Sequence, residues 1–383
     1  MRPVPAMAER PAPLVLVAQP AGGQAFGSHA AAAADGQRLL AAELGRRLGG
    51  LGAAVRPLPF EPSDGGAAFH WGRWFTDAAR RAVDAADGRL DTIGYAGAGA
   101  LALLADSELD VLLSPIAGEV VANNRYSADA FVVAGDLPRA LDALSECAID
   151  NAAPRALDDA GFLWRDLGTA GWARFDVDTT LDLALLRLAA RLDGTRPLDR
   201  SVTGFLEMAR LPGDRPLEVP QLERLGEVVR SRSAELVVVG RVPGSTWQEL
   251  ETQTACRVRG IVEERGMRSA RDPNDPPRSV LAALMGRSSP AELVAELAAL
   301  GDAIVIDTRV LMAAVAGTSD ASGWPPEEER FASDFGDAGR ISTPWLRELT
   351  EAASGAAVPF LFGSHGLIGD GLRVIVAAVW QGR

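Results

Sequence analysis

The sequence predicts an α/β protein of two layered domains. Apolar runs of strand length alternate with helix-period segments along nearly the whole chain. Glycine-rich turns follow several of those runs. The 383 residues also exceed what one hydrophobic core usually holds. In detail, two Rossmann-like three-layer domains are expected, over residues 1–195 and 196–383.

The elements can be justified in order. "PLVLVAQPAGGQAFGSHA" reads as a buried strand and a glycine-rich loop, and "DGQRLLAAELGRRLGGLG" as a helix that glycines end. "AAVRPLPF" is a short strand, and "TDAARRAVDAADG" a helix opened by Thr-Asp. "LDTIGYAGAGA" is a strand into a turn, with "LALLADSE" expected as a short helix. "EVVANNRYSADAFVVAG" gives two strands around a polar turn. "DLPRALDALSECA" and "NAAPRALDDAG" are capped helices, "FLWRDLG" a strand, and "FDVDTTLDLALLRLAARL" a strand running into a helix.

"RLDGTRPLDRS" and "RLPGDRPLEVP" bracket a hinge, after which the alternation restarts. "AELVVVGRVPGSTWQELETQTA" is a strand, turn and helix, and "CRVRGIVEE" a strand. "PAELVAELAALG" is a helix, and "DAIVIDTRVLMAA" a strand entering a site-like loop. "GTSDASGWPPEEERFASDFGD" is expected to be irregular. "STPWLRELTEAASG" is a capped helix, and "VPFLFGSHGLIGDGLRVIVAAVW" a strand, glycine turn and last helix.

Composition removes several functions. Arg and Lys total 38 against 51 Asp and Glu, a net charge of −13. That balance argues against nucleic acid as the main partner, because neutralising phosphate backbones needs a basic face. All the basic residues are arginine and none is lysine. A lysine Schiff base and a Walker-type phosphate lysine are therefore impossible. Two distant cysteines, Cys147 and Cys256, make neither a disulfide framework nor a thiolate zinc site. No apolar run approaches the roughly 18 residues of a membrane span, and "LVLVA" is too short for a signal core. A soluble cytoplasmic protein is the expectation.

The candidate site residues fall into groups. Gly22 and Gly23 lie in a loop after the first strand, where backbone N–H groups can approach phosphate closely. Asn123, Asn124 and Arg125 sit among polar neighbours between two strands. They could orient a base, sugar or phosphate, or simply build a hairpin turn. Asp176 and Asp178 alternate along the chain, so both face one side and could share a Mg²⁺, while Asp178 or Thr179 could instead cap the next helix. Arg241, Ser245 and Thr246 stand at a helix start, an anion site or an ordinary cap. His365 lies between glycines and could bind phosphate or move a proton. Arg257, Arg259, Arg265 and Arg268 form a local basic stretch. The formal GxGxxA of Gly97, Gly99 and Ala102 has no acidic residue about 20 positions on, so a tight turn is its reading.

"RFDVDTTLDLALL" resembles the "DIDTPEDL"-type segment that closes the core of GT-A-like nucleotidyltransferases, such as molybdenum cofactor guanylyltransferases and 2-phospholactate guanylyltransferases. The similarity covers about the first half of the chain. It implies a nucleotide-diphospho-sugar-transferase-like mixed sheet in the first domain, with the Gly22 loop at the nucleotide and Asp176 and Asp178 on Mg²⁺. It also implies transfer of a nucleoside monophosphate to a small phosphorylated metabolite. The loop "AGGQAFGSH" lacks the family's basic residue, and "GYAGAGALALL" stands where the family carries "GDxP". Asp136, in a later "GDLP", reads as a helix cap. The alternative is a catalytically degenerate scaffold or an anionic-metabolite-binding protein. Nucleotide and phosphorylated metabolite are thus the expected partners, with a homo-oligomer left open and no membrane.

Overall fold

The structure, a computed structural model, describes residues 11–20, 28–60, 69–87, 89–167, 171–267 and 277–381. It is a mixed α/β protein with one mixed and one all-parallel main sheet. The chain divides into two compact units. The first comprises Met1–Ala21, Ala41–Ala100 and Leu104–Ala173, and the second Gly22–Leu40, Leu101–Leu103 and Arg174–Arg383.

The first unit is built on six strands, β1 (Leu14–Gln19), β2 (Ala54–Pro59), β3 (Thr92–Ala96), β4 (Glu119–Ala122), β5 (Ala130–Ala134) and β6 (Leu163–Asp166). Their order is β2-β1-β3-β5-β4-β6. All neighbours run parallel except at β5, which is antiparallel to both β3 and β4. Four helices accompany them: α2 (Trp71–Ala85), α3 (Asp106–Leu112), α4 (Leu137–Ser145) and α5 (Ala153–Asp159); α1 (His29–Gly50) groups with the second unit through Leu40 and with the first from Ala41. The strands form where they do because their apolar residues are buried on both faces, as in Leu14–Val17 and Ala130–Ala134. Trp71 stacks on Phe75 with centroids 5.0 Å apart, and Tyr95 and Phe131 pack edge-on against that pair. This cluster fixes α2 on the sheet.

Asp136 caps α4, its carboxylate accepting the Arg139 N–H at 3.2 Å, as its position before Leu-Pro predicts. "LALLADSE" does not form the expected helix. Residues 98–103 are turns, and α3 begins only after Ala105. Leu101 takes a positive φ of 61° there while fully buried, so apolar burial sets this stretch rather than helical period.

The second unit contains α6 (Thr180–Ala189), α7 (Arg200–Met208), a two-residue ribbon of β7 (Arg210–Leu211) and β8 (Arg215–Pro216), and α8 (Leu222–Arg230). A parallel sheet follows, made of β9 (Glu235–Gly240), β10 (Arg257–Val262), β11 (Ala303–Asp307) and β12 (Phe360–Gly363), in the order β10-β9-β11-β12. Its helices are α9 (Gly244–Gln253), α10 (Val280–Met285), α11 (Pro290–Ala298), α12 (Thr308–Ala316), α13 (Glu327–Asp334), α14 (Pro344–Ser354) and α15 (Leu372–Gln381). A π-type turn spans Leu367–Gly371 just before α15. β9 and β11 are apolar runs buried on both faces.

Two element readings change in this unit. Residues 174–195 belong to its compact cluster. The reason is packing: Leu181 of α6 reaches Gly363, and Leu185 reaches Gly371. "FDVD" carries no strand assignment, although the alternation survives, with Phe175 and Val177 buried and Asp178 exposed. The stretch expected to be irregular contains α13, which Pro326 precedes and which opens on Glu327, Glu328 and Glu329, carboxylates favoured at a helix N-terminus. Among the described residues, no helix is long and apolar enough to cross a membrane.

Candidate functional site

In an open parallel sheet, ligands bind beyond the carboxyl ends of the strands, at the point where strand order reverses. In the second unit that point lies between β9 and β11, because β10 flanks β9 on the other side. Arg241 follows β9 directly and Asp307 ends β11. The Asp307 carboxylate is wholly buried and accepts Arg241 Nε at 2.5 Å and Nη2 at 3.1 Å. It also accepts the Arg309 N–H at 3.2 Å and so caps α12. No loop follows β11, contrary to the expectation for "DAIVIDTRVLMAA", because this cap starts the helix at once. Gly240 permits the close approach. Its φ is +122°, and a Cβ there would sit 2.5 Å from the Asp307 Cβ.

A second buried pair stands beside the first. Arg309 donates to both oxygens of Asp334 at 2.5 and 2.6 Å, a bidentate, charge-assisted geometry. Its Nη1 also meets Thr308 Oγ1 at 3.0 Å, and that hydroxyl reaches the Gly363 carbonyl of β12 at 3.3 Å. Burial disfavours the Arg309 charge, but Asp334, then Asp307 and Asp182, more than offset it, so its pKa is raised. Burial raises the Asp334 carboxyl, with Arg309 pulling the other way. The short bidentate contact is that of an ionised pair.

Asp182 enters from α6. Thr179 caps that helix in a reciprocal box: Thr179 Oγ1 accepts the Asp182 N–H at 3.2 Å, and Asp182 Oδ2 accepts the Thr179 N–H at 2.8 Å. The Asp178 N–H and the Thr179 hydroxyl also donate to Oδ2. Burial, then the charge of Asp178, pushes this carboxyl up to about 7, against the pull of those donors. A Cβ on Gly366 would lie 2.8 Å from Asp182 Oδ1 and 3.3 Å from Ser364 Oγ, so only glycine fits where the chain leaves β12.

Arg174 and Arg241 both act electrostatically on a third arginine at this edge. Arg265, just past β10, donates from Nη1 to the Arg241 carbonyl at 3.5 Å. Although its side chain reaches solvent, partial burial, then the charges of Arg174 and Arg241, lower its guanidinium pKa. Among the described residues it makes no ion pair with a carboxylate. No protein-family model, curated protein or solved structure matches this chain.

The expected site residues distribute unevenly over this arrangement. Arg241 is at its centre. Ser245 and Thr246 lie in the first turn of α9, the former exposed and the latter buried, and neither caps the helix, whose cap position is Pro243. His365 is exposed immediately after β12. Asp176 Oδ1 accepts the Val177 N–H at 2.9 Å, and Thr179, not Asp178, caps α6. Among the described residues, no group of three or more His, Cys, Asp or Glu is gathered where it could hold a metal ion. A Mg²⁺ on Asp176 and Asp178 would therefore take the rest of its shell from water and phosphate oxygens.

In the first unit, Asn123 is buried in the β4–β5 turn. Its Oδ1 accepts the Asp129 and Ala130 N–H groups, and its Nδ2 donates to Asp129 Oδ2 and the Ala173 carbonyl. Asn124 Oδ1 accepts the Tyr126 N–H at 3.1 Å, and Arg125 pairs with Asp158. All three side chains are thus engaged in bonds within the first unit. Gly22 and Gly23 lie outside the described residues, as does Arg268.

Sequence reasoning missed Asp182, Asp307, Arg309, Asp334 and Arg174. The Thr-x-x-Asp spacing of a capping box could have found Asp182. The site-like reading of "DAIVIDTRVLMAA" marked the place of Asp307 and Arg309 but not their roles, and Asp334 and Arg174 gave no local signal.

Removing one member of the buried Arg309–Asp334 pair strands the other charge. Arg309→Met is expected to cost about 3–5 kcal/mol, read as a lowered urea midpoint. The double variant Arg309→Met, Asp334→Leu is expected to recover most of that loss. Asp182 sets a pH dependence. Its folded pKa of about 7 exceeds the ordinary 3.8, so the folded state holds a proton that the unfolded state releases first. The stability it contributes is complete below the ordinary value and is lost as pH rises to about 7. Thermal melts of wild type and Asp182→Asn from acid to neutral pH should show the wild type losing ground across that window and no further divergence above it.

Proposed function

We propose that the second unit binds a small phosphorylated anion at the carboxyl edge of its parallel sheet, through Arg174, Arg241 and Arg265. The observation that carries this is Arg265, a guanidinium held against two like charges with no carboxylate partner among the described residues. A guanidinium without a carboxylate partner can find one in a phosphate, through charge-assisted, often bidentate hydrogen bonds. The strand order β10-β9-β11-β12 supports a Rossmann-like reading of this unit, with Arg241 at its switch point. In this reading Asp307 holds Arg241 in place, and the Arg309–Asp334 pair keeps the end of β11 rigid.

Inorganic phosphate titrated into the protein should bind, more weakly as salt rises. Arg265→Ala should weaken it about tenfold or more, with the fold intact by circular dichroism. Equal affinity in wild type and Arg265→Ala would overturn the proposal.

A second reading is favoured by the first unit. Its six-stranded sheet, with β5 alone antiparallel, supports the nucleotide-diphospho-sugar-transferase-like architecture that the resemblance implies. Here the chain is a nucleotidyltransferase, with Mg²⁺ on Asp176 and Asp178 and a small phosphorylated metabolite as acceptor. It expects a nucleoside triphosphate to raise the melting temperature only when Mg²⁺ is present, and the rise to vanish in Asp178→Asn. Stabilisation indifferent to both Mg²⁺ and this substitution would exclude it.

A further inference from the structure

The anion site has a neighbour that points to the rest of the ligand. Asp370 lies in the Leu367–Gly371 turn, and its side chain is 10% exposed. Arg373 donates from Nη1 to Asp370 Oδ1 at 2.8 Å, and its Nε is 3.0 Å from Glu249 Oε2 of α9. Asp370 Oδ2 is buried with no hydrogen-bond partner among the described residues. A buried acceptor left unpaired costs about 1–3 kcal/mol, more for a charged group, so an orphan of this kind needs an explanation.

The turn that carries Asp370 lies against the loop that follows Arg241. The turn breaks helical geometry at Gly369, with φ −89° and ψ −120°. A Cβ there would stand 3.9 Å from Pro243 Cγ, in the loop that follows Arg241. Arg174 acts on both groups, lowering the Arg265 pKa and pulling the Asp370 carboxyl down against the rise that burial causes. Insertions of the π type recur at functional sites because they re-aim a side chain at the expense of regular helix bonds. Here the group is a carboxylate whose buried Oδ2 has no donor among the described residues.

We infer that the ligand is a hydroxylated phosphate ester, such as a sugar phosphate or the ribose phosphate of a nucleotide, whose phosphate meets the arginines while a hydroxyl donates to Asp370 Oδ2. This rests on the anion-binding reading and adds the second recognition point. A plain phosphate satisfies the cations and leaves Asp370 Oδ2 without a donor. A phosphate ester with a hydroxyl satisfies both, and a site built on a polar group discriminates against analogues that cannot pair with it.

The test titrates wild-type protein with inorganic phosphate, ribose 5-phosphate and butyl phosphate. Wild type should prefer ribose 5-phosphate over butyl phosphate about tenfold or more, the range of one hydrogen bond to a charged group. Asp370→Asn should bring that ratio near one and, with one negative charge removed beside the cations, should bind inorganic phosphate at least as tightly as wild type. Equal binding of the two esters by wild type, or a preference that survives in Asp370→Asn, overturns the inference. If Asp370→Asn fails to fold, the wild-type ratio alone decides. Failure of inorganic phosphate to bind wild type would instead remove the anion-binding reading beneath it.

Discussion

The second unit turns on one interaction, the buried pair of Arg241 and Asp307. Two strands of a parallel sheet meet at their carboxyl ends, where backbone and side-chain dipoles converge and water is excluded. Asp307 answers three donors there, two from Arg241 and one from the first turn of α12. A single carboxylate thereby ends a strand, starts a helix and orients a cation. Replacing such a pair by apolar residues of similar volume is often neutral for stability. Its retention is better explained by what it positions than by what it stabilises.

Around this pair the structure stacks further commitments. Arg309 and Asp334 tie the start of α12 to the end of α13, and Thr308 links them to β12. The capping box of α6 brings Asp182 against the turn that leaves β12. Each contact joins the end of one regular element to the start of another. The strands supply the apolar core, and Asp307, Arg309, Asp334 and Asp182 are buried where its elements begin and end.

Much of the fold was legible because it is written locally. Runs such as "LVLV" and "IVID" are strand-length and apolar, and Asp136 and Pro344 stand where helix starts need them. The site was far less legible. Arg241 lies 66 positions from Asp307, and Arg309 lies 25 from Asp334. A charge within a helix or at a strand end looks the same in sequence whether it faces water or a buried partner. Asn123 shows the opposite problem. Its density of polar neighbours suggested recognition, but the same hydrogen-bonding capacity braces a turn. Composition cannot tell those uses apart, since both require donors and acceptors close together.

The absence of lysine gains a further meaning at this edge. A guanidinium keeps its proton through the whole physiological range, so the positive charge supplied by Arg174, Arg241 and Arg265 is a constant of the molecule. The buried carboxyl of Asp182, in the same unit, is pushed up to about 7. Near neutral pH the charge of the unit therefore changes on the acidic side, by one proton on one buried oxygen.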